Sequence, residues 1–225
     1  RGLGDVYKRQ LHNSWLPMFV KDGSLSPAPP EIISFEEFSK SFYPVVKETL
    51  SGGNQIYALP RGVDGLALYY NPELLEPLGI NIPKNWKELT DAAAAVAVND
   101  EEGKVTTGGL AIGMTGNVDH WSDILGLLFL QLPGASLEKP NDPQRLGDEV
   151  MRYFTDLPTG KLTEGKILWD KNMPSSTQAF AEKRLAFYIG PSWRASELRQ
   201  LNKELKLKSV TIDLNKHGEE INPFM

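Results

Sequence analysis

Five apolar and aromatic residues run together in Leu66-Ala67-Leu68-Tyr69-Tyr70, and Asn71-Pro72 follows at once. A run this short and this continuous suits a strand that is covered on both faces. Pro72 fits the first position of a helix, because its missing N–H has no intrahelical partner to lose there. Leu74, Leu75 and Leu78 carry that helix to Gly79, which suits a left-handed end. A strand that passes directly into a helix, with both needing cover, calls for layered α/β packing.

The rest of the chain keeps the alternation. Residues 11–25 read as a short helix and turn, with Trp15, Leu16 and Phe19 at helical spacing. Residues 34–50 read as one helix, capped by Ser34 with Glu37 three residues on. Its apolar positions Phe35, Phe38, Phe42 and Val45 step by three or four. Residues 55–60 follow as a strand that ends on Pro60. Asn85 or Lys84 opens a helix whose apolar face is Trp86, Leu89, Ala92, Ala93 and Val96. Strands are expected at 108–114, 185–189 and 210–214. Helices are expected at 120–132 ending near Gly134, from Asp142 or Pro143 through Phe154, at 176–182 and at 192–205, with Gly190-Pro191 breaking the strand before the last one.

Composition narrows the function classes. The 225 residues hold 24 Lys plus Arg against 29 Asp plus Glu, a net charge of −5. Nucleic acid and anionic membranes call for a basic surface, so neither is expected as a partner. Without cysteine, thiolate zinc sites and Cys nucleophiles are excluded. The three His residues lie far apart, so no metal or other cofactor is expected. No dinucleotide-binding glycine motif follows a strand, and there is no phosphate-binding loop, no G-x-S-x-G elbow and no evident Ser-His-Asp set. Carboxylates are plentiful, but no pair is singled out for glycoside hydrolysis.

The ends of the chain carry their own expectations. Residues 1–10 start without Met and read as a non-native tail. Residues 222–225 stop without capping logic, so the chain reads as a fragment whose signal segment was lost.

Three places could carry chemistry. In the first, Arg61-Gly62-Val63-Asp64-Gly65 joins two expected strands. Such a crossover at a strand end suits a hinge or a ligand group, and an Asp-Gly turn between paired strands is the alternative. In the second, Gly190-Pro191-Ser192-Trp193 puts an indole at the mouth of a strand-end cleft, where it can stack on the apolar face of a sugar ring. The alternative is a Trp that closes the edge of the core. In the third, Asn117, Asp119, His120 and Trp121 cluster at the start of an apolar helix, where Asn117 or Asp119 can also serve as a plain cap. Trp15 also sits at an element start, either lining a cleft or packed in the core. Trp86 and Trp169 read as packing residues.

In order along the chain, four stretches resemble the extracellular solute-binding proteins of sugar ABC importers, the group that includes maltose-binding protein. Residues 15–25, with Trp15, Gly23 and Leu25, are similar to the family's opening tryptophan segment. Residues 56–71 are similar to its Tyr-Ala-Leu-Pro and Leu-Tyr-Tyr-Asn block, which 72–79 continue. Pro83-Lys84-Asn85-Trp86-Lys87-Glu88-Leu89 resembles a third motif, with Asn85 where Thr is usual. Residues 180–193 resemble the block that ends in Gly-Pro-Trp. There Lys183 stands where Gly is usual, Phe187 where Met is usual, and Ser192 is inserted before Trp193.

This resemblance implies a periplasmic-binding-protein-like, type II fold of two α/β lobes, with one lobe incomplete. Residues 11–63 would be part of the first lobe, 64–65 a hinge crossing, 66–214 the second lobe, and 215–225 the truncated approach to a second crossing. It implies capture of a sugar between the lobes and delivery to permease subunits, without catalysis. The protein would be a monomer, periplasmic or extracellular, and bound to the membrane only through the permease or a lipid anchor. Asp64 matches a carboxylate that binds sugar hydroxyls, and Trp193 matches a stacking Trp. Trp121, His120, Asn117 and Trp15 complete the expected ligand set.

Three alternatives stay open. The same fold could bind a polyamine or another small solute, for which Asp64, Asp119 and Asp123 supply negative charge. A carbohydrate-active hydrolase and a ligand-free interaction domain are the others.

Overall fold

A computed structural model of the chain describes residues 10–131 and 143–211. Residues 1–9 of the expected tail, the helix end near Gly134, Asp142, the strand end at 212–214 and residues 215–225 lie outside the described residues. The chain divides into two compact units between Val63 and Asp64.

In the first unit a 3-10 turn, Asn13–Trp15, leads into α1, Leu16–Lys21. Residues 34–50 form two helices, α2 (Phe35–Ser41) and α3 (Pro44–Leu50), where one was expected. Pro44 is the cause. It forces Tyr43 before it into an extended backbone, and the chain re-enters the helical region at Pro44 itself. The break also shifts the phase of the apolar face, so Val46 is buried and Val45 is exposed. Ser34 does cap α2, accepting the Glu37 N–H at 3.1 Å.

β1 (Ser51–Gly52) and β2 (Gln55–Ile56) make a short antiparallel hairpin. Gly53 and Asn54 both have positive φ, as the commonest two-residue hairpin turn requires. The strand expected over 55–60 is limited to these two residues. Leu16, Phe38, Val46, Leu50 and Ile56 form the core of this unit.

The second unit is built on a mixed five-stranded sheet. β3 spans Leu66–Tyr70 and is followed by α4 (Pro72–Leu75) and a 3-10 turn that ends at Gly79 with φ 65°. Next come α5 (Trp86–Val96), β4 (Val98–Asn99), β5 (Val105–Leu110), α6 (Trp121–Gln131) and α7 (Pro143–Asp156). The chain continues through α8 (Ser176–Ala181), β6 (Leu185–Pro191), α9 (Arg194–Leu201) and β7 (Lys208–Thr211). The strand order is β4-β5-β6-β3-β7. β6 runs parallel to β5 and antiparallel to β3, and β3 pairs antiparallel with β7. The Asp-Gly turn between paired strands is therefore excluded: β2 pairs with β1, and β3 pairs with β6 and β7.

Each residue of β6 is buried, as the central position in the sheet demands. Gly190 and Pro191 continue this strand and do not break it, and α9 accordingly starts at Arg194 and stops at Leu201. β5 ends at Leu110, four residues before the expected Met114. Asn85 caps α5, accepting the Glu88 N–H at 2.8 Å, while the Glu88 carboxylate reaches back to the Lys84 N–H. Trp86, Leu89, Ala93 and Val96 turn inward at helical spacing. They lie so close to β5 that a Cβ on Gly109 would sit 2.1 Å from the Ala93 carbonyl oxygen. Trp86 and Trp169 are both buried, as their settings suggested. No described helix is long and apolar enough to cross a membrane.

Candidate functional site

At the end of β6 the chain leaves the sheet through Pro191 and Ser192, and neighbouring groups fix its path. The Tyr69 hydroxyl, from the adjacent strand β3, lies 2.7 Å from the Pro191 carbonyl oxygen and 2.9 Å from that of Ser192. Gly190 is needed here because a Cβ would meet the Tyr188 ring at 2.6 Å. The Ser192 N–H donates to the Gly65 carbonyl at 3.0 Å. The Ser192 hydroxyl donates to Asp64 Oδ1, the oxygen that also accepts the Gly65 N–H at 2.9 Å. Asp64 thus binds the first turn of this unit to the exit of β6.

Trp193 comes next, one residue before α9, and its side chain is 52% exposed. It does not close the core edge. The Arg194 guanidinium carbon lies over the indole, 4.5 Å from the ring centroid. The His120 ring meets Trp193 edge to face, with centroids 6.1 Å apart. Arg194 Nη2 is 2.9 Å from His120 Nε2, and Nη1 donates to Glu197. A guanidinium only donates, so Nε2 is the acceptor and Nδ1 carries the imidazole proton. That proton points toward Asp123 Oδ2 at 3.2 Å.

His120 has a φ of 58°, a left-handed conformation that costs a non-glycine residue about 1–2 kcal/mol. The turn that holds it is tied down on both sides. Asp119 Oδ2 accepts the Thr177 N–H at 3.0 Å and the Thr177 hydroxyl at 2.6 Å, so Asp119 caps α8 from outside. Both N–H groups of the Asn117 side chain are used, on the carbonyls of Asp170 and Met173, and its oxygen accepts from Trp169 Nε1. Asn117 therefore acts as a tie within the unit, with both amide protons and its oxygen engaged by the chain itself.

The charges are settled by these surroundings. Burial works against the charge on Arg194, but the nearby carboxylates of Glu197, which is bonded to it, and Asp119 help to hold the group more basic than usual. Burial pushes the phenols of Tyr69 and Tyr188 up, so both stay neutral hydroxyls. Arg194 Nε is buried without a partner among the described residues. An open depression of about 560 Å³ lies beside Arg194, lined by Asp119, Thr177, Gln178, Glu197 and Asn202 among others.

The structure thus gathers Asp64, His120 and Trp193 around the end of β6, with the partly exposed Trp121 following His120 directly. Trp15 lies in the first unit and is 54% exposed. Sequence reasoning missed Arg194, although an Arg beside an exposed Trp with Glu197 three residues on was a readable signal. It also could not see that the inserted Ser192 binds Asp64. Among the described residues, no group of three or more His, Asp or Glu could hold a metal ion.

The profile of the bacterial extracellular solute-binding proteins matches residues 11–218. Solved structures share the fold. One is an ABC transporter solute-binding protein from Thermotoga lettingae bound to α-D-tagatose, 21% identical, with a TM-score of 0.61 over 88% of this chain and 51% of that one. A second is the maltose/maltodextrin-binding domain MalE from Bdellovibrio bacteriovorus bound to maltotriose, 16% identical, TM-score 0.58, with coverage of 91% and 50%. A third is the GacH receptor of Streptomyces glaucescens, known with acarbose, 21% identical, TM-score 0.57, with coverage of 92% and 52%. The chain spans about half the length of these proteins.

Proposed function

Because the chain belongs to the bacterial extracellular solute-binding proteins, we propose that it is part of the substrate-capture component of an ABC importer for a sugar or oligosaccharide. The observation that carries this reading is Trp193, an indole half in solvent with fixed neighbours. An indole face gains dispersion and C–H/π attraction from a sugar ring. Asp64, His120 and Trp121 supply polar and aromatic contacts nearby, and a ligand-binding role for Trp15, in the first unit, is part of the same proposal. Asn117 supports the turn that carries His120.

The proposed role is binding and delivery to permease subunits, with no catalytic step. Capture by lobe closure, as the family resemblance implies, belongs to the same proposal and requires the ligand to favour the closed state. So do a monomeric state, a periplasmic or extracellular location, and attachment through the permease or a lipid anchor. The polyamine alternative needs a negative surface beside the aromatic anchor. The guanidinium of Arg194 lies over Trp193 instead, which favours a neutral ligand.

The test is calorimetry and thermal shift of the full-length protein with tagatose, maltotriose, acarbose and spermidine. A sugar should bind and raise the melting temperature, and Trp193→Ala should weaken its binding by about 1–3 kcal/mol. A shift with spermidine and none with any sugar would overturn the reading.

A further inference from the structure

We propose that Arg194 and His120 are the positioning residues of Trp193, and together hold its indole ready for a ring that stacks on the face turned away from Arg194. This rests on the sugar reading of Trp193 and adds how that side chain is held.

A half-exposed Trp on a turn has several rotamers open to it, and a ligand that stacks on it must select one. Ordering such a side chain subtracts from affinity, so an anchor fixed beforehand binds more tightly. Trp193 is held from two directions. The Arg194 guanidinium covers one face at 4.5 Å from the centroid, an attractive contact with the negative face of the indole. The His120 ring sits at an interplanar angle of 79° to the indole, the edge-to-face arrangement aromatic pairs prefer.

The two holders are themselves fixed. The Arg194 side chain is only 13% exposed and is bonded to both His120 and Glu197. His120 is bonded to Arg194 through one ring nitrogen and to Asp123 through the other. Its left-handed backbone is braced by Asp119 and Asn117, which bind α8 and the segment before it. An unfavourable backbone maintained by this many bonds is the kind of strain that accompanies a functional role. With one face of the indole taken by Arg194, a single ring can stack on Trp193, and a sandwich of two is excluded.

The test uses the full-length protein. In ¹⁹F NMR of 5-fluorotryptophan-labelled protein without ligand, the Trp193 resonance is assigned by its loss in Trp193→Phe. Arg194→Met and His120→Ala should each move that resonance and leave those of the buried Trp86 and Trp169 in place. With maltotriose, or whichever of tagatose and acarbose binds, Arg194→Met should weaken binding about tenfold beside Trp193. It should weaken it less than twofold in a Trp193→Ala background, because a residue acting through Trp193 has nothing left to act on. An unmoved Trp193 resonance, or a tenfold loss that persists without Trp193, overturns the proposal. If Arg194→Met does not fold, Arg194→Gln decides by the same two readouts. If the wild-type protein binds none of the sugars, the sugar reading fails, and the ligand-free resonance alone decides whether the clamp exists.

Discussion

The hydroxyl of Ser192 donates to the carboxylate of Asp64, joining residues 128 positions apart at the start of β3 and the end of β6. Ser192 is the residue that interrupts the Gly-Pro-Trp block this chain otherwise resembles. The insertion adds a turn anchor just before Trp193. Removing either partner should show it. Ser192→Ala and Asp64→Asn should each cost about 1 kcal/mol, since the pair is exposed to solvent. The double variant should cost little more than either single one. Urea denaturation of all four proteins measures this coupling, and full additivity would mean the contact contributes nothing.

Lys183 occupies another position where this chain departs from the family pattern. Its φ of 61° is left-handed, the conformation that glycine adopts after a helix without a Cβ penalty. Lys183 also pairs with Glu73 at 2.7 Å, and that contact holds the Glu73 carboxyl below its usual range. Replacing Lys183 by Ala or by Gly removes the ion pair in both cases. The Gly variant should be more stable than the Ala variant by about 1 kcal/mol, the backbone term alone. Equal melting temperatures would remove this account.

Two glycines should respond in opposite ways to alanine. At Gly109 a Cβ would meet the backbone of α5 at 2.1 Å, so Gly109→Ala should cost about 3 kcal/mol by forcing α5 off β5. Gly126 lies inside α6 with nothing within 4 Å of a Cβ, so Gly126→Ala should gain about 0.5–1 kcal/mol in helix propensity. Chemical denaturation of both variants checks the pair.

Tyr153 packs edge-on against Trp86 and shares its hydroxyl with Thr90 at 2.7 Å. Burial pushes its phenol up to about 12, partly opposed by the Thr90 contact. The folded chain therefore holds this proton more tightly than the unfolded chain, where the phenol titrates near 10. Its contribution is complete below pH ~10 and is lost as the pH rises toward ~12. At pH 11 the wild type should have lost about 1 kcal/mol more than Tyr153→Phe, each compared with its own stability at pH 9. Tyr69 and Tyr188 shift the same way, so the variant keeps some alkaline slope.

Much of the second unit could be read from local pattern. The Leu66–Tyr70 run, the Pro72 helix start, the Gly79 end and the Trp86–Val96 face each encode their element within a few residues. The single helix over 34–50 was misread because its apolar spacing survives on paper across Pro44, while the backbone at Tyr43 does not. Gly190-Pro191 looked like a break, yet in the sheet Pro191 pairs with Leu66 at the very end of the ladder, where a missing N–H does no harm. Among the candidate site residues, the motifs around Trp193 and Asp64 single them out. Asn117 was legible as a polar residue at a helix start, but its partners at 169–173 lie more than 50 positions away.

By itself the sequence determined the α/β class, the main helix caps, a strand covered on both faces and the two tryptophans that pack inside. These follow from hydrophobic spacing and from backbone limits at Pro and Gly, which act over a few residues. Only the tertiary structure decided that Ser192 binds Asp64, that His120 accepts from Arg194, and that Arg194 covers Trp193. The first two depend on the pairing of β3 with β6 and on α6 starting beside α9, neither of which any local pattern states. The third depends on His120 and Glu197 fixing where the guanidinium can go.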